Sequence, residues 1–215
     1  MATSSAAHHQ DKNYRIALSL ALFTILYNLL EGLISTYFGV QDESLALFGF
    51  GADSFIEVLS GLGIAHMVLR IQNHRDSPRD RFERTALRIT GFAFYALVIT
   101  LVSTGLYHIW TGHRPVTTVV GIVISTISIV VMWALVYGKR VVGRKLDSEP
   151  ILADANCTLV CVYMSIILLV SSGIFELTGF RYIDSIGSLA LAYFAFKEGR
   201  ECFEKVNSEK YCGCD

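Results

Sequence analysis

The chain has 215 residues, of which 53% are hydrophobic, with a mean hydropathy of +0.48 and a formal net charge of −1. That is too apolar for an ordinary water-soluble domain, and a near-neutral charge leaves no basic surface for nucleic acid, so no nucleic-acid partner is expected. With only three prolines to suggest unstructured tracts, the composition points to a polytopic membrane protein whose solvent is the lipid bilayer.

The first thirteen residues are polar and carry His8 and His9. The apolar run after them is too long for a signal-peptide core and has no small-residue cleavage pattern behind it, so it reads as a retained span. About 20 apolar residues cross a bilayer core. Six segments qualify, roughly 15–38, 44–70, 85–110, 116–138, 151–177 and 182–200. The expected fold is an all-α membrane protein of six transmembrane helices. It divides into a cytoplasmic N-terminal tail (1–14), a transport domain (15–200) and a short cytoplasmic C-terminal tail (201–215).

Basic residues fall unevenly between these spans. Lys12 and Arg15 precede the first, Arg70, Arg75, Arg79, Arg81 and Arg84 lie between the second and third, and Lys139, Arg140, Arg144 and Lys145 follow the fourth. Lys197, Arg200, Lys205 and Lys210 close the chain, while the other side has only Arg114 and Arg181. By the positive-inside rule both termini are expected in the cytoplasm, and the cell (inner) membrane is the expected location.

The first span contains Tyr27-Asn-Leu-Leu-Glu-Gly32. Glu31 reads either as a group near the outer headgroups or bonded to a neighbouring helix, or as a carboxylate lining a water-filled path, since acids inside a membrane are functional by default. The second span holds Asp53 and Glu57, four apart and therefore stacked on one helix face. An ionised group at mid-membrane costs several kcal/mol, so something must compensate them. The fifth span supplies a second pair at the same spacing, Cys157 and Cys161, one turn after Asp154. Two such pairs facing each other would make a tetrahedral metal site. Asp154 reads either as an accessory carboxylate on the ion's path or as a residue favouring the start of its helix.

Other groups carry less. His74 and Asp76, with Asp80, lie in a charged loop whose spacing matches no tight ligand motif. His108 and His113 flank an outer loop, and spans three and four offer hydroxyls that read as helix-packing contacts. Five cysteines, at 157, 161, 202, 212 and 214, do not form an extracellular disulfide pattern. Cys212-x-Cys214 could pass a soft metal ion to or from the membrane portion, or be idle.

In the order and spacing of these motifs, the chain resembles the cation diffusion facilitator family of six-span divalent-metal/proton antiporters. The resemblance rests on Asn28-x-x-Glu31-Gly32, Ser44-Leu-Ala-Leu followed by Asp53-x-x-x-Glu57, the stretch from Lys145 to Ala155 followed by two ligand positions four apart, and the Tyr182-Ile-Asp184 opening of the sixth span. It implies a metal site of Asp53, Glu57, Cys157 and Cys161 and a helix bundle that rocks to expose it alternately to each side. It also implies export of Zn²⁺, or a softer ion such as Cd²⁺, driven by inward proton flow, and a homodimer paired through its transmembrane helices. The metal and protons are cargo, and no prosthetic group is expected. The chain departs from the family in having two cysteines where His or Asp is usual, Glu57 where Asp is usual, and no counterpart of the family's cytoplasmic domain, as in its shortened branch. Two rival readings are a non-transporting scaffold or sensor and a membrane thiol oxidoreductase. The latter suffers from a cysteine spacing wrong for a Cys-x-x-Cys pair. The former suffers because no buried lysine or arginine is expected near the acids.

Overall fold

The structure is a computed structural model that describes residues 2–73 and 81–207, with side chains for all of these except 2–12, 71–73, 81–83, 149–150, 153 and 207. His74, Asp76, Cys212 and Cys214 lie outside the described residues.

Among the described residues there are six helices and no strand: α1 (Ala2–Gln41), α2 (Leu45–Asn73), α3 (Arg81–Thr111), α4 (Val119–Leu146), α5 (Glu149–Thr178) and α6 (Ile183–Asn207). The first five contain stretches long and apolar enough to cross a membrane. In α6 the apolar middle is bracketed by Asp184 and by Lys197, Glu198 and Arg200. α1 begins well before residue 15, and α6 continues past residue 200. The chain is an all-helical membrane bundle, as its hydropathy pattern predicts.

Helix ends follow local chemistry. The sequence Leu146-Asp-Ser-Glu-Pro150 breaks α4 from α5: Asp147 takes a left-handed conformation at the end of α4 (φ 47°), Ser148 is extended, and Pro150 opens α5, where its missing N–H costs nothing. Gly179 ends α5 at φ 64°, its N–H donating to the Phe175 carbonyl at 2.7 Å.

Two helix starts are satisfied by carboxylates from other helices. Asp184 of α6 accepts from Ser44 Oγ at 2.6 Å and from the Leu45 N–H at 2.8 Å, answering the orphan donors at the start of α2. Glu176 of α5 accepts from Thr117 Oγ1 at 2.8 Å and the Thr118 N–H at 2.5 Å, doing the same for α4.

The closest pairings are α1 with α2, α4 with α5 and α3 with α6. α1 and α2 approach backbone to backbone. A Cβ on Gly51 would lie 2.6 Å from the Thr36 nitrogen, so only glycine permits this crossing. The main apolar core joins Phe50 and Ile56 of α2, Leu101 of α3, Met164 and Leu168 of α5 and Ala195 and Cys202 of α6. Many large apolar side chains point outward, Leu22, Leu26 and Leu33 of α1 among them, as expected where the surrounding solvent is lipid.

Candidate metal site

The polar groups that the apolar spans must accommodate gather between α1, α2, α4 and α5. Glu31 is 6% exposed. Tyr27 OH donates to its Oε1 at 2.9 Å and Ser54 Oγ to its Oε2 at 3.1 Å. Ser128 of α4 also bonds to it, and Ser165 Oγ of α5 donates to Ser128 Oγ at 3.0 Å. Glu31 is therefore held inside the bundle by hydrogen bonds to neighbouring helices α2 and α4 as well as to its own Tyr27. Ser128, read from sequence as a packing hydroxyl, belongs to this network.

One layer away, Asn28 Nδ2 donates to Glu57 Oε2 at 2.9 Å, and the Cys161 thiol donates to Glu57 Oε1. This brings together one member of each sequence-predicted pair, Glu57 from α2 and Cys161 from α5. Asp53, one turn earlier on α2, is only 3% exposed, and its Oδ1 has no hydrogen-bond partner.

Cys157 faces elsewhere. It is half-buried, and its Sγ accepts from Lys205 Nζ of α6 at 3.3 Å. Among the described residues no three His, Cys, Asp or Glu side chains stand close enough together to hold a metal ion as arranged. Of the four residues expected from sequence to form a tetrahedron, the structure joins Glu57 to Cys161, with Asp53 one turn away on α2 and Cys157 bonded instead to Lys205.

A buried lysine does stand nearby, contrary to expectation. Lys139, read from sequence as a flanking cytoplasmic charge, is 2% exposed; it pairs with Asp154 at 2.9 Å and donates to Thr158 Oγ1 at 2.8 Å. It also lies within electrostatic reach of Glu57. The Asp154 carboxylate is engaged by this ion pair and not by the start of its helix.

Beside the loop between α1 and α2, His113 Nε2 sits 3.2 Å from Glu43 Oε2, and the rings of His108 and His113 are 4.3 Å apart. Sequence reasoning missed Glu198 of α6, which is 8% exposed. It hides among Lys197, Arg200 and Glu201, and its one signal is position: it lies three residues after Ala195 and four before Cys202, on the buried face of α6.

The sequence model of the cation efflux transmembrane domain matches residues 21–208. The chain belongs to the cation efflux family. The match runs from the first helix to the end of the sixth and takes in every polar group just described. Membership makes the chain a multi-pass integral membrane protein of a family that transports metal cations.

Proposed function

We propose that this cation efflux protein is a secondary transporter that exports a divalent metal cation from the cytoplasm in exchange for protons. Zn²⁺ is the proposed substrate, with Cd²⁺ the closest alternative. The observation that carries the reading is the contact between Cys161 and Glu57, a thiol donating a hydrogen bond to a carboxylate on a different helix inside an apolar bundle.

Zn²⁺ accepts mixed sulfur and oxygen ligands in tetrahedral geometry, and thiolates raise preference for softer ions. Both groups must lose their protons to bind metal. An arriving cation therefore displaces the proton between Glu57 and Cys161, and an arriving proton releases the cation; this competition is the exchange. Asp53 joins from the same face of α2, and Cys157 completes the set by turning from Lys205 towards Cys161, one turn away on α5. Glu31, with Tyr27, Ser54 and Ser128, lines the approach. Both termini are placed in the cytoplasm of the cell (inner) membrane on the strength of the basic loops. A homodimer through the membrane helices is proposed from the resemblance alone.

The test is uptake into proteoliposomes holding the full chain, across Zn²⁺, Cd²⁺, Hg²⁺, Cu⁺, Mn²⁺ and Fe²⁺. Zn²⁺ and Cd²⁺ should be carried and Mn²⁺ excluded, because hard, six-coordinate ions suit neither the thiols nor the geometry. Transport of Mn²⁺ in preference to Zn²⁺ would refute the ligand set.

A further inference from the structure

Glu198 belongs to none of the motifs discussed above, yet it is buried among them. On α2, Phe50 and Ile56 lie three residues either side of Asp53; on α6, Ala195 and Cys202 flank Glu198. All four flanking residues belong to one core cluster shared by α2, α3, α5 and α6, and α2 and α6 are in direct contact, so Asp53 and Glu198 both face the same packed interior. Asp53 Oδ1 and Glu198 Oε1 are both buried without a hydrogen-bond partner. The neighbouring cations on α6 do not hydrogen-bond that Glu198 oxygen: Lys197 and Lys205 stand 4.0 and 3.6 Å from Glu201 and Lys205 also donates to Cys157 Sγ at 3.3 Å, although both lie within electrostatic reach of Glu198. Glu198 also lies within electrostatic reach of Asp53, Glu57 and Cys161.

The bond from Asp184 to the start of α2 sets the two helices in register at their outer ends. Counting inward at 1.5 Å per residue, Asp53 and Glu57 lie about 12 and about 18 Å below that level and Glu198 about 21 Å. Glu198 is therefore on the cytoplasmic side of Asp53 and beside or just below Glu57. An unpartnered carboxylate oxygen is costly in an apolar bundle, and a cation removes that cost.

We propose that Glu198 is a further contact for the transported divalent cation, a staging position between α2 and α6 through which the ion passes on its way from the cytoplasm to Asp53 and Glu57. The inference rests on the transport reading above. It adds a hard oxygen donor from a helix that contributes none of the four ligands implied by the family resemblance. The ion would be held there by Glu198 with water completing its shell, then handed to the α2 carboxylates as it sheds that water.

The test compares wild type, Glu198→Gln, Glu198→Asp and Asp53→Asn as full chains, measuring Cd²⁺ uptake in proteoliposomes and equilibrium Cd²⁺ binding by dialysis. Glu198→Gln should slow uptake on the order of 10- to 100-fold, the usual cost of losing a supporting group around a metal, while still binding Cd²⁺ at equilibrium. Glu198→Asp should recover part of the rate, and Asp53→Asn should lose both uptake and binding. If Glu198→Gln transports like wild type while Asp53→Asn is inactive, the staging position is overturned and the transport reading stands. If Asp53→Asn transports like wild type, Asp53 is no ligand and the staging position falls with it; if the wild type itself takes up no Cd²⁺, the transport reading falls. A second measurement needs no variant: a hydrophobic carbodiimide is applied to the wild-type protein with and without Cd²⁺, and modified carboxyls are located by mass spectrometry. Cd²⁺ should slow modification of Glu198 relative to the exposed Glu204 on the same helix. Equal modification of Glu198 with and without Cd²⁺ overturns the proposal even if the variants fail to fold.

Discussion

The thiol of Cys161 donates to the carboxylate of Glu57, linking α5 to α2 across 104 positions of sequence. The same carboxylate takes a second hydrogen bond from Asn28 of α1. Glu57 is thus a point where three helices meet through polar groups, as Glu31 is one layer away, and protonating its carboxylate would disturb the bonds to both neighbouring helices.

Removing that carboxylate should stop transport without unfolding the bundle. Glu57→Ala and Asp53→Ala each delete a charged ligand while leaving a helix-favouring, apolar residue on α2. Zn²⁺ uptake is expected to fall about 100-fold or more, at the upper end of what losing metal-site groups costs, with helical circular dichroism unchanged. Wild-type uptake by either variant would remove its residue from the site.

Selectivity should follow the two cysteines. In the double variant Cys157→His with Cys161→Asp, soft donors become borderline and hard ones. Zn²⁺ binding should survive, while the ratio of Cd²⁺ to Zn²⁺ affinity falls, as read by competitive dialysis. In the wild type, metal should protect both thiols from alkylation. An unchanged ratio, with thiols that alkylate equally with and without metal, would make both cysteines ordinary packing residues.

Proton supply should set the rate of export. Because ligands bind metal only when deprotonated, acidifying the side on which metal is released favours release, and keeping the binding side more alkaline favours loading. An inward proton gradient of about one pH unit should accelerate Zn²⁺ efflux from loaded vesicles. A flux indifferent to that gradient would indicate uniport.

The buried pair Lys139–Asp154 should govern stability. Lys139→Ala leaves the Asp154 carboxylate without its partner, and Asp154→Ala strands a lysine that is 2% exposed; each should cost about 3–5 kcal/mol, the usual penalty for breaking a buried ion pair from one side. Lys139→Met combined with Asp154→Leu should recover most of that loss, because an apolar pair of similar volume carries no desolvation cost. Thermal unfolding in detergent reads all three variants, and single variants as stable as wild type would contradict the pairing.

Periodicity and hydropathy made the helical bundle legible, and the i, i+4 spacing of Asp53 with Glu57 marked out one face of α2. What a one-dimensional pattern does not give is the rotation of each helix about its axis. Cys157 and Cys161 share a face by spacing, yet successive turns of α5 point towards different neighbours, one at Lys205 of α6 and the other at Glu57 of α2. Lys139 looks like a membrane-flanking cation because Arg140 follows it, but α4 turns about 100° per residue, enough to bury Lys139 against Asp154 while Arg140 stays half-buried beside Asn156. Glu198 is masked in the same way by Lys197 and Arg200. Asp184 and Ser44 are each visible in sequence as motif residues, but their bond joins positions 140 apart and becomes apparent only in three dimensions.

That bond also bears on how the protein is made. The ribosome delivers Ser44 and Leu45 long before Asp184, so α2 enters the membrane with its Leu47 N–H capped by Ser44 but without the carboxylate that takes the Leu45 and Ala46 N–H groups, and groups left unanswered in lipid are costly. The last helix to emerge supplies the carboxylate that finishes the second. Assembly of the α2–α6 face, with Asp53 on one side and Glu198 on the other, is therefore a post-insertion event, and a nascent chain stalled before residue 184 would hold α2 in the bilayer with its outer end still incomplete.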